Sequence, residues 1–227
     1  FTTLVMLALA LLVLPAPNPF LSLFFLLLTL AWVVNLGFVV SVIIERSSWQ
    51  KPLLASSGLA GSLGIVLDGI HRVPADFPAW ASLLTALHFL LSSLFLGSVV
   101  FAMILGHYYL TVPTLAIRPL RSMSLLMVVT MIAKVLLLGI TFFLFWTAAG
   151  DEPRQILASF FGLQGLFFWA RVLFGIVGPL AIIFMTWETV KIHSTQSATG
   201  LLYVATILVL IGEAFSRFIF YNTSIPV

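Results

Sequence analysis

Residues 122–148 read SMSLLMVVTMIAKVLLLGITFFLFWTA, twenty-seven residues whose one charged side chain, Lys134, lies near the centre. Roughly 20 apolar residues span the hydrocarbon core of a bilayer as a helix. The stretch is continuously apolar, without the period-2 alternation of a membrane strand, so it predicts a transmembrane helix rather than part of a barrel. A lysine at that depth is costly, from about 2.5 kcal/mol on insertion scales upward, and marks a paired or cavity-lining group.

The same pattern recurs along the chain. Apolar segments at about 1–14, 20–44, 53–69, 79–106, 122–148, 156–189 and 200–222 predict an all-α polytopic bundle of about seven spans, forming a single integral membrane domain over residues 1–227. Pro15 to Pro19, Glu45 to Pro52, Asp68 to Pro78, Tyr109 to Arg121, Gly150 to Arg154 and Lys191 to Gly200 punctuate them. The third segment, with Ser57, Gly58, Gly61, Ser62 and Gly64, reads either as a closely packed span or as a re-entrant hairpin. No Ala-x-Ala-like site follows the first segment, so it reads as a span and not a cleaved leader. Composition agrees: 62% hydrophobic, 7% charged, mean hydropathy +1.21, where soluble domains carry about 25% charge.

With seven crossings, Arg46, Lys51, Arg118, Arg121 and Lys191 fall on one side, against Arg72 and Arg154 on the other. The positive-inside rule then puts the N-terminus in the cytoplasm and the C-terminus in the periplasm of a bacterial inner membrane. The net charge of +3 comes from these scattered residues and forms no basic run, so no nucleic-acid partner is expected. The chain has no cysteine, which excludes thiolate-held iron–sulfur clusters, covalent haem and disulfides within it.

Helical phase sorts the polar residues of the spans. Thr130, Lys134 and Thr141 share a stripe; Gln164 and Arg171 are seven apart; Thr206, Glu213 and Arg217 share a face; Thr85, His88 and Ser92 lie together. Glu213 and Arg217 stand in the favourable i,i+4 order for an ion pair. His88, Lys134, Gln164, Arg171, Glu213 and Arg217 are therefore the candidate site residues. Three cations against one carboxylate favour a ligand with carbonyl or phenolate oxygens, a quinone (menaquinone or ubiquinone) held non-covalently, or a lipid phosphate. His88 suits a quinol hydroxyl and its proton. The competing reading is structural: Glu213 neutralises Arg217, while Lys134 and Arg171 bond helix carbonyls or snorkel.

Bis-histidine haem ligation needs two histidines at one level. His88 and His107 are nineteen residues apart on one helix, about 28 Å. His71 and His193 lie in loops on opposite sides. A haem-free subunit is the expectation. Met123, Met127 and Met131 repeat every four residues as core packing would. No Gly-rich phosphate loop, nucleophile elbow or His-Glu-x-x-His zinc motif is present.

Residues 167–180, FFWARVLFGIVGPL, resemble a helix of the NrfD-like membrane anchors. Residues 212–221, GEAFSRFIFY, resemble the final helix of the dimethyl sulfoxide reductase anchor subunits. The resemblance implies a helical anchor, generally without haem, that docks iron–sulfur and molybdopterin or related redox subunits and exchanges electrons with membrane quinones. Seven spans depart from the eight or more usual there, and the first half, including Leu105 to Leu110, matches no pattern of the family. The function expected is thus a quinone-interacting anchor of a respiratory or photosynthetic redox complex, catalysing nothing alone, with iron–sulfur or cytochrome partners and membrane lipids around it. The alternative is a structural membrane subunit binding lipid, pigment or neighbouring subunits. A transporter reading lacks the inverted repeats such folds carry.

Overall fold

Among the described residues helices form where the sequence is continuously apolar, because in hydrocarbon each backbone amide must be satisfied within its own segment. A computed structural model describes residues 19–45, 47–74, 77–112, 117–148, 150–162 and 165–227. The helices are α1 (Pro19–Ile43), α2 (Ser47–His71), α3 (Ala79–Thr111), α4 (Arg118–Ala148), α5 (Asp151–Ser159), α6 (Leu166–Val172), α7 (Gly178–Lys191) and α8 (Thr195–Thr223), with a π-helical turn, Leu173–Val177, joining α6 to α7. No strand occurs among the described residues. Among the described residues six helices are long and apolar enough to cross a membrane, counting α6, the π turn and α7 as one. The expected first span, 1–14, lies outside the described residues.

Two boundaries sharpen the sequence reading. The third segment is one uninterrupted helix, Ser47–His71, and not a hairpin that re-enters the membrane. The segment expected at 156–189 divides: α5 ends at Ser159, and the crossing begins at Leu166. Gly162 and Gly165 lie in that break, where residues of low helix propensity loosen the chain. Asp151 and Glu152 occupy the first turn of α5, favourably placed for its dipole. Arg154 reaches back to cap α4, its Nε donating to the Trp146 carbonyl at 2.5 Å and Nη2 to that of Thr147 at 3.1 Å.

The chain forms two compact units. The first comprises Phe1–Ala75 with Thr85–Leu90, the second Asp76–Leu84 with Leu91–Val227. In the first, α1 and α2 pair as a hairpin joined through Glu45, whose φ of 56° is left-handed. Asn35 Nδ2 donates to Ser57 Oγ at 3.2 Å, and that hydroxyl donates to the Ala31 carbonyl at 3.0 Å. Gly69 packs so tightly that a Cβ there would stand 2.8 Å from Ala86 Cα.

The core of the second unit is built from α3, α4, α7 and α8. Phe95, Val99, Met127, Met131, Ile183, Leu202 and Val209 are at its centre, which places two of the three striped methionines in the core. Outward faces are equally apolar: Leu136, Phe143, Phe184 and Ile192 are more than 60% exposed. A surface so uniformly apolar is unsuited to water and matches hydrocarbon. Residues 225–227 fold back and are buried, held by a hydrogen bond from Ser216 Oγ to the Val227 carbonyl.

Candidate functional site

Most hydroxyls inside the second unit serve their own helices. Ser124, Thr130, Thr141, Thr186 and Thr206 each donate to the carbonyl four residues earlier. Thr130 and Thr141 share the buried face of Lys134 as their spacing predicts, and their donors are directed to the backbone.

The charged groups behave differently. Lys134 on α4 is 5% exposed, and its Nζ is in direct contact with Glu213 Oε1 on α8. The same ammonium donates to Ser92 Oγ on α3 at 3.0 Å and lies 5.5 Å from the centre of the Phe95 ring. Arg171 on α6 is 2% exposed, with Nη2 3.9 Å from Glu213 Oε1. Its Nε and Nη1 are buried without an acceptor. Lys134, Arg171 and Glu213 thus come together from three helices, and neither cation snorkels. The sequence reading that gave Glu213 to Arg217 within one helix omitted the cross-helix partner, Lys134.

Local backbone chemistry brings Arg171 into place. Pro179 cannot donate a backbone hydrogen bond, and the π turn just before it absorbs the irregularity, with the Gly178 N–H bonded to the Leu173 carbonyl. Gly175 in that turn touches Gly212 on α8: a Cβ on Gly212 would strike Gly175 Cα, and one on Gly175 would strike Arg171 Nη1. The two glycines let the helices meet backbone to backbone, one residue before Glu213. The guanidinium lies on the surface of Gly175.

Beside this cluster, within the second unit, a cavity of about 230 Å³ is lined by Ser92, Ser93, Leu96, Glu213, Ala214 and Arg217. Arg217 is half-buried, one turn beyond Glu213. Among the described acidic residues Glu213 alone lies mid-span; Glu45, Asp68, Asp151, Glu152 and Glu188 sit at or next to helix ends. Lys134, Arg171 and Arg217 against Glu213 leave a formal excess of two positive charges around the cavity wall.

His88 is buried on α3, one turn before Ser92, and does not line this cavity. Gln164 lies outside the described residues. Ser92 was legible only as a companion of His88, and Gly175 and Gly212 carried no signal beyond the residues of the resemblance. No three His, Asp or Glu side chains come together as a metal site among the described residues. Comparison with family models, curated proteins and solved structures gives no match.

Proposed function

We propose that this chain is a haem-free, quinone-interacting membrane anchor of a multisubunit redox complex, of the NrfD-like kind, with the headgroup seated between α3 and α8. The observation that carries this reading is the cavity between two membrane-length helices, walled by Arg217, Ser92 and Glu213, beside a cluster with more cations than carboxylates. Buried excess charge is costly unless compensated. An electron-rich, neutral-to-anionic ligand such as a menaquinone or ubiquinone headgroup compensates it without adding a full counter-ion to the hydrocarbon. Its isoprenoid tail matches the apolar outer surface.

In this reading Arg217 donates to a quinone carbonyl, and the Ser92 and Ser93 hydroxyls flank it. Glu213 is the carboxylate nearest the proton exchange that accompanies quinone chemistry. Electrons pass to or from an iron–sulfur or cytochrome partner. The orientation follows the loop charges, with the basic end of α4 and α7 in the cytoplasm.

The test is Arg217→Gln in the purified complex. One charge-assisted hydrogen bond contributes about 1.5–3 kcal/mol, so quinone affinity should fall about 10- to 100-fold while subunit assembly is retained. Normal quinone turnover with lost assembly would instead favour a purely structural subunit.

A further inference from the structure

Two cations reach Glu213 from other helices and hold it unequally. Lys134 is in direct contact, whereas Arg171 stands back at 3.9 Å with two of its donors unpartnered although the side chain is almost fully buried. A lone structural ion pair would not need the second cation, and a purely structural arginine would direct its donors to helix carbonyls. Neither Lys134 nor Arg171 lines the cavity, but both contact Glu213, which does, as does Ser92. Lys134 reaches the cavity wall through its hydrogen bond to Ser92.

From this geometry we infer that Arg171 is the second partner of a carboxylate hand-over: a ligand oxygen in the cavity draws Lys134 from Glu213, and Arg171 takes up the carboxylate. The inference rests on the quinone reading of the cavity and goes beyond it, because it gives roles to two cations that do not line the wall. A lysine that left its buried partner would remove the carboxylate's closest compensating charge, which low-dielectric surroundings oppose. Arg171 removes that obstacle, since about 1 Å of approach brings Nη2 to the 2.7–2.9 Å of a charge-assisted bond. The guanidinium fork has further donors for the second oxygen. Gly175 is the positioning residue, because any side chain there would displace the guanidinium that rests on it.

The experiment is infrared difference spectroscopy of the full chain in nanodiscs, with and without ubiquinone-1 or menadione, alongside binding titrations. Binding should shift a carboxylate stretch that Glu213→Gln abolishes. Arg171→Gln should weaken binding about tenfold and remove the shift. Gly175→Ala retains the charge but moves the guanidinium and also presses its methyl on Gly212 Cα at 3.0 Å; it should weaken binding and remove the shift beyond what Gly212→Ala, which crowds the same crossing, produces. If Arg171→Gln fails to insert, Gly175→Ala gives the answer. Gly139→Ala, where a Cβ meets nothing within 4 Å, should bind as wild type. Quinone binding with the carboxylate band unmoved, or no weaker in Gly175→Ala than in Gly212→Ala, overturns the hand-over alone. Absence of saturable quinone binding by the wild type overturns the quinone reading beneath it.

Discussion

The α1–α2 hairpin and the four-helix core of the second unit solve one problem, a polar group at membrane depth, in opposite ways. In the hairpin the group is neutral: Asn35 and Ser57 satisfy one another and a carbonyl, and α1 remains largely unburied. In the second unit the groups are ionised residue types, and α8, which carries Glu213, has 44% of its spanning window enclosed. A neutral hydrogen bond tolerates a half-exposed position because its desolvation is modest. Full charges require walls on every side and a partner across a helix boundary.

The largest break in this comparison should come from Glu213→Leu, which leaves Lys134 and Arg171 facing one another without a carboxylate. Removing one member of a buried charge set costs about 3–5 kcal/mol. Denaturant titration in mixed micelles should show a loss of that size, or failure to accumulate in the membrane. Lys134→Met should cost less than Glu213→Leu, because Arg171 remains to hold the carboxylate; equal losses would argue that Arg171 contributes nothing.

Gly212→Ala comes next. Its methyl has no room against the Gly175 backbone, and overpacking of this kind costs about 1–3 kcal/mol. The helices α6 and α8 should separate, which cysteine pairs introduced across the crossing would report as slower crosslinking. The smallest effect should belong to Asn35→Leu. Interhelical hydrogen bonds in membranes average about 0.6 kcal/mol, so a shift near that size leaves the comparison intact. A loss as large as that of Glu213→Leu would show that the hairpin depends on its polar rung as the second unit depends on its charges.

The resemblance at 167–180 and 212–221 led the sequence reading to α6 and α8, and Gly175 and Gly212, where those helices touch, lie inside the two quoted stretches. It said nothing of why glycine was needed there, since contact between backbones distant in sequence has no local signature. The break between α5 and α6 was hidden for a related reason. Residues 156–189 carry few charges, and hydropathy alone runs across two glycines that the chain uses to turn.

What the sequence by itself determined is the membrane character, the helical class, most of the spans and the buried stripe of Lys134. Each follows from local rules: hydrocarbon thickness, obligatory backbone hydrogen bonding and the 3.6-residue period. Which cation holds Glu213 was decided only by tertiary structure. Arg217 is four residues away along one helix, and Lys134 and Arg171 also reach the carboxylate, from α4 and α6. Helical phase reports which face a residue occupies and carries no information about which helix stands opposite. That depends on how close two backbones can come, and here a pair of glycines and a π turn set the distance.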